Sequence, residues 1–189
     1  MENSPPFVSR AGQKLDHALT VFSLDIQGKI CADLGCSTGG FTDCLLRRGA
    51  MKVFAVDTGY GVLDWKLRKD LRVVVMERTN AMHVELPERV ELITIDVGWT
   101  RQRNILPSAR RLLADGGQVV TLVKPHYEAE ASALRKGILP ESAVGEILES
   151  VKIGAEREGW IWLNSVRSPI RGSGGNIEFL AQLALLGLR

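Results

Sequence analysis

Five short apolar runs, with almost no polar interruption, restrict this chain more than any other feature of it: Lys29-Ile30-Cys31-Ala32-Asp33-Leu34, Lys52-Val53-Phe54-Ala55-Val56-Asp57, Arg72-Val73-Val74-Val75-Met76, Glu91-Leu92-Ile93-Thr94-Ile95-Asp96 and Gln118-Val119-Val120-Thr121-Leu122-Val123. A strand that faces water on one side alternates apolar and polar residues. A continuous run must bury both faces, which happens in parallel sheets covered by helices. Segments with helical character separate the runs, at residues 40–48, 63–69 and 103–113. Ser9 stands as an N-cap before Leu15, Ala18, Leu19 and Phe22 at helical spacing, and an amphipathic helix over 141–158 stops at Gly159. The predicted architecture is a doubly wound, Rossmann-like α/β sheet. Trp160 to Val166 and Ile177 to Leu186 read as two more strands, joined as an antiparallel hairpin at the sheet. The stretch from Pro125 to Pro140 has no periodicity and is expected to be a mobile loop; residues 1–8 read as a flexible arm and 9–189 as one domain.

Composition excludes several classes. With 189 residues, 45% of them hydrophobic, the chain can bury one core without covalent staples. No apolar run reaches the roughly 20 residues of a bilayer span, and the opening residues lack a basic then apolar signal, so membrane insertion and secretion are disfavoured. Cys31, Cys36 and Cys44 have no metal-ligand spacing and read as reduced thiols of a cytoplasmic protein. A net charge of +2 announces no nucleic-acid binder, so any basic surface must arise by clustering, as at Arg47-Arg48, at Lys66, Arg68, Lys69 and Arg72, at Arg101 and Arg103, or at Arg167 and Arg171.

The first run ends in Asp33-Leu34-Gly35-Cys36-Ser37-Thr38-Gly39-Gly40 and feeds a helix. Such a turn brings backbone N–H groups against a ligand without side chains in the way. Asp57 closes the second run about twenty residues on, where an acid accepts hydrogen bonds from a ribose diol. Dinucleotide dehydrogenases share both signals. Ser37 breaks the G-x-G-x-x-G pattern, however, and the loosened turn suits an adenosine joined to an amino acid better than a pyrophosphate. The expected cofactor is therefore S-adenosylmethionine, held by Asp33, Gly35, Cys36, Ser37, Gly39, Gly40, Phe41, Asp57 and Asp96, with Thr79 and Asn80 after the third run near the adenine.

Asp96 and Lys124 end the fourth and fifth runs and so project into the crevice where doubly wound folds place their chemistry. Lys14 on the first helix and Glu178 on a late strand would complete a neutral quartet, which lightens the desolvation penalty of burying amines. Lys124 is the candidate to relieve an attacking hydroxyl of its proton, either as a base or as a cation beside the developing alkoxide; its carboxylate neighbours favour the second form.

Beyond these residues, Ser9-Arg10-Ala11-Gly12-Gln13-Lys14-Leu15, the Asp33 to Cys44 stretch, Ala55 to Leu67, Glu77 to Asn80, Leu122-Val123-Lys124-Pro125, Ser168-Pro169-Ile170 and Gly175 to Phe179 together resemble the methyltransferase domain of hemolysin-A-like, FtsJ-related RNA 2′-O-ribose methyltransferases. The resemblance implies a mostly parallel sheet with a reversed final strand, no metal, and a ribose hydroxyl in ribosomal RNA as acceptor. It places a K-D-K-E tetrad at Lys14, Asp96, Lys124 and Glu178; Arg101 and Arg171 flank that site and, with Arg10 and the stacking face of Tyr127, are the candidate RNA contacts. Family members often carry a small RNA-binding domain ahead of this one, whereas this sequence opens almost directly on it. Val97-Gly98-Trp99-Thr100-Arg101 stands where a Ser-Phe-Ile-Ser-like segment is expected, and His126-Tyr127 where Gln-Phe is commoner. Two other readings use the same fold: a small-molecule methyltransferase, with a closed apolar acceptor pocket, and a non-catalytic RNA-binding or ribosome-assembly module. The pore-forming activity that the word hemolysin suggests has no amphipathic hairpins or apolar spans to support it.

Overall fold

The computed structural model describes residues 7–186. A seven-stranded sheet runs β3-β2-β1-β4-β5-β7-β6, from β1 (Ile30–Leu34), β2 (Lys52–Val56), β3 (Val73–Met76), β4 (Val90–Ile95), β5 (Leu113–Val123), β6 (Trp160–Arg167) and β7 (Phe179–Leu185). The first five strands are parallel; β7 is inserted between β5 and β6 and runs antiparallel to both. The apolar runs are continuous because successive residues of a strand serve opposite faces. In β2, Val53 and Ala55 join one core while Phe54 and Val56 join the other. Helices α1 (Ala11–Val21) and α2 (Gly40–Arg47) and the short α3 (Trp65–Arg68) cover the first face through Leu15, Leu19, Leu45 and Leu67; α4 (Gln102–Leu112) and α6 (Glu141–Arg157) cover the second through Ile105, Ala109 and Ala155. Burying a side chain such as Leu45 or Ile105 fully contributes about 1.5–3 kcal/mol.

Several expectations need correction. Helix α1 begins at Ala11 with Arg10 at the N-cap position and no side-chain cap; Ser9 instead accepts the Gly12 N–H through its carbonyl at 3.1 Å. Phe7 and Val8 are not part of a loose arm, because both pack on the first core and the Val8 N–H donates to Asp43 Oδ2 at 2.9 Å. Residues 1–6 of that arm lie outside the described residues. The stretch after β5 is not one featureless loop. It holds helix α5 (Pro125–Glu128), a 3-10 turn over Ala131–Ala133 and an isolated bridge between Arg135 and Ile138, seated on a small core of Ala129, Leu139, Val144 and Ile177. Elements of three or four residues are too short to show a period, so the pattern was invisible in the sequence.

Candidate active site

The carboxyl edge of the parallel strands carries two adjoining cavities. The first, about 480 Å³, lies over the turn after β1. The Gly35 and Cys36 N–H groups donate to Val56 O at 2.9 and 3.0 Å, and Ser37 takes a left-handed backbone (φ 48°) that aims its own N–H at Asp57 Oδ2, 2.8 Å away. The other Asp57 oxygen accepts the Gly59 N–H at 2.7 Å. Each carboxylate oxygen has a second lone pair, so Asp57 keeps capacity for a diol. Gly35 is at φ +86°, and a Cβ there would stand 2.6 Å from Asp96 O; any side chain would push β1 away from β4 at the floor of the cavity.

Of the residues expected to hold a cofactor, Gly35, Cys36, Ser37, Phe41, Asp57, Thr79, Asn80 and Asp96 line this cavity. Asp33, Gly39 and Gly40 do not. Asp33 is completely buried beneath the turn, where Thr42 Oγ1 and Thr94 Oγ1 donate to its two oxygens at 2.7 and 3.1 Å. Burial raises its pKa to about 7, against the opposing pull of these hydroxyls. Gly39, at φ +100° and next to the Leu63 and Leu67 side chains, starts α2, and Gly40 lets Ser9 and Gly12 approach. These glycines make room for protein, not for a ligand. Asn80 Oδ1 is engaged by the Met82 N–H at 2.9 Å, which leaves its amide donors available.

The second cavity, about 840 Å³, shares Ser9, Ser37, Thr38, Asp96 and Trp99 with the first. All four members of the predicted quartet line it. Lys14 and Glu178 are buried and paired at 2.5 Å; Lys124 pairs with Asp96 at 2.6 Å and donates to Val97 O at 3.1 Å. Two compensated pairs remove the objection to burying amines there. Glu178 reaches Lys14 because residue 172 is glycine: a Cβ there would overlap Glu178 Oε1.

Arg10, Arg101 and Tyr127 also line the second cavity, whereas Arg171 stands on the loop beyond it, donating to Gly175 O at 3.0 Å and 3.6 Å from Glu141. Arg101 pairs with Glu130 at 3.1 Å. Sequence reasoning named Trp99 only as a departure from a pattern and missed it as a site residue. It is largely exposed, has a positive φ of 57°, lines both cavities, and stacks on Tyr127 with ring centroids 5.0 Å apart. The sequence offers only a tryptophan three residues beyond Asp96; its exposure belongs to the fold. The basic groups near β3 are largely spent locally: Arg68 pairs with Glu77, Arg72 with Asp70, and Lys69 lies 4.8 Å over the Trp65 ring.

Among the described residues no helix is long and apolar enough to cross a membrane, and no group of three or more His, Cys, Asp or Glu is arranged to hold a metal. The three cysteines are free and buried, and burial pushes the Cys31 and Cys44 thiols up to about 12.

Comparison with known proteins converges with this geometry. The chain is 45% identical over 183 residues to the Bacillus subtilis protein YqxC, spanning 94% of this chain and 65% of that protein. It is 39% identical over 184 residues to the 16S/23S rRNA (cytidine-2'-O)-methyltransferase TlyA of Mycobacterium tuberculosis, spanning 94% of this chain and 68% of the relative. Among solved structures, a hemolysin-named protein from Streptococcus thermophilus superposes with a TM-score of 0.93 at 43% identity, covering 98% of this chain and 69% of that one. The chain thus spans about two thirds of the length of these relatives. The family model described as FtsJ-like methyltransferase matches residues 7–185, and the chain belongs to that family.

Proposed function

We propose that this protein is a cytoplasmic S-adenosylmethionine-dependent RNA methyltransferase that methylates a ribose 2′-hydroxyl in ribosomal RNA. The observation that carries the reading is the pair of cavities meeting at Asp96, one floored by the glycine turn and the other lined by two lysine–carboxylate pairs. The residues of the first cavity fit the cofactor. Gly35 leaves backbone where a Cβ would strike Asp96 O, Asp57 can accept a ribose diol, and Asn80 offers amide donors to an adenine edge. When bound, S-adenosylmethionine supplies an electrophilic methyl group with a good leaving group behind it.

The chain's own residues do the rest. Lys124 Nζ, anchored by Asp96 and Val97 O, is positioned to donate a charge-assisted hydrogen bond to the attacking 2′-oxygen while that oxygen's proton passes to solvent water in the open cleft. Asp96 orients the amine and lies at the junction of the cavities, where the hydroxyl must align with the methyl. The Lys14–Glu178 pair fixes the far wall and offers donors and acceptors to the same ribose. Arg10 and Arg101 at the rim give phosphate contacts whose strength falls with salt. Trp99 and Tyr127 present a stacking surface of the kind single-stranded bases use. An open cleft edged by charge favours RNA over the small-molecule acceptor, which would need an enclosed apolar pocket.

Ribosomal RNA as the substrate follows the similarity to the Mycobacterium tuberculosis relative, a 16S/23S rRNA (cytidine-2'-O)-methyltransferase. Mapping ribose methylation in ribosomal RNA from cells with and without the gene tests the reading. A single site lost without the gene and restored by it supports the reading; an unchanged map refutes it.

A further inference from the structure

Among the described residues one buried side-chain nitrogen or oxygen lacks a hydrogen-bond partner, Nδ1 of His126. Leaving such a group unpaired costs about 1–3 kcal/mol, so a folded protein that keeps one calls for a reason. His126 follows Lys124 by two residues on α5 and lines the cavity that holds the two ion pairs. Its ring leans on Tyr127, with centroids 4.2 Å apart at 53°, and Tyr127 in turn stacks on Trp99 and lies 5.6 Å from Lys124 Nζ. A bare lone pair is the cheaper form of a buried unpaired nitrogen, which assigns the ring proton to Nε2. Nε2 is not among the buried unpaired atoms of the described residues, and the ring lines the cavity, which leaves Nε2 the nitrogen open to a ligand.

We propose that His126 is a specificity-determining residue, whose Nε2–H donates to a carbonyl oxygen on the base of the nucleotide being methylated. The inference rests on the RNA reading above and deepens it. A ribose at Lys124 whose base lies along the Tyr127–Trp99 row turns the base edge toward the histidine. Burial and the neighbouring Lys124 charge hold the His126 pKa below its ordinary value, so the imidazole is neutral near pH 7. A neutral N–H suits a base carbonyl; a phosphate would instead draw an imidazolium, and the guanidinium groups of Arg10 and Arg101 already line the cleft for that task.

The test uses His126→Phe, which keeps the ring against Tyr127 while removing both nitrogens, and His126→Gln, which keeps an N–H donor. The substrate is ribosomal subunits from cells lacking the gene, carrying either the natural nucleotide at the mapped ribose or adenine, the base without a carbonyl. With the natural nucleotide, His126→Phe raises KM roughly three- to tenfold, the loss of one hydrogen bond, with kcat within about twofold, and His126→Gln recovers most of the loss. With adenine, wild type and His126→Phe have the same KM. The thermal midpoint of His126→Phe equals or exceeds that of wild type, so a folding defect is not the cause. A wild-type KM for His126→Phe, an equal defect on the adenine subunits, or a mapped nucleotide that is itself adenosine overturns the inference alone. If wild type transfers no methyl to the subunits, the RNA reading falls and takes this inference with it.

Discussion

Breaking the Lys14–Glu178 pair exposes how the site is held. Lys14 is 7% exposed, Glu178 is 4% exposed, and their polar atoms stand 2.5 Å apart. Glu178→Ala leaves a largely buried ammonium without its counter-ion, and breaking a buried pair in this way typically costs about 3–5 kcal/mol. For a domain of this size that lowers the melting temperature by roughly 6–20 °C. Lys14→Met strands the carboxylate and carries a similar penalty. The double variant Lys14→Met/Glu178→Leu removes both charges, fills the space, and is expected within about 1 kcal/mol of wild type. Urea unfolding of all four proteins at neutral pH gives the coupling energy, roughly 6–10 kcal/mol when each single substitution costs about 3–5 and the double variant almost nothing. If each single substitution cost under about 1 kcal/mol and the two simply added, the pair would be a solvated contact and the dry wall of the cleft an error. The double variant must also lose methyl transfer despite its recovered stability, which separates the site's chemistry from its folding.

Two further outcomes follow from other residues. Burial raises the Asp33 pKa from 3.8 in the unfolded chain to about 7 in the folded one, so the fold holds that proton more tightly. Its contribution is best below pH 4 and is lost as pH climbs to 7; Asp33→Asn should therefore gain on wild type by roughly 2–3 kcal/mol between pH 5 and pH 8, and a difference in melting temperature that ignores pH would contradict this. Gly172→Ala pushes a methyl into Glu178 Oε1, so turnover should fall about tenfold or more while cofactor affinity measured by calorimetry stays near wild type. An unaffected turnover would mean that Glu178 has room to move.

Much of the fold was legible because its signal is local. An apolar run whose alternate residues feed two cores is visible in six letters, and β1, β2 and β4 lie within one or two residues of where the runs put them. The reversed strand was expected from the hairpin and from the family resemblance. Its insertion between β5 and β6 is a long-range pairing that no local pattern displays. The site was legible only in part. Lys14 and Glu178 meet across 164 residues of sequence, so recognised blocks, and not spacing, brought them together. The glycine turn was read as wholly for the ligand, whereas Gly39 and Gly40 clear space for Leu67 and Ser9, and Asp33 anchors Thr42 and Thr94 below the floor. A sequence shows that a Cβ is missing but not what occupies its place. Trp99 and His126 stayed hidden for a related reason: one is marked by exposure and the other by an absent partner, both properties of the folded surroundings.

In the reaction proposed here, an amine held by Asp96 at the meeting point of the two cavities drives transfer to a ribose hydroxyl. Single-turnover methylation of undermethylated ribosomal subunits by wild type and Lys124→Ala, with cofactor affinity measured in parallel, isolates the contribution of that amine. The expected result is a rate lower by roughly 10²–10⁴-fold with cofactor affinity within a few-fold of wild type. An unchanged rate for Lys124→Ala would contradict it.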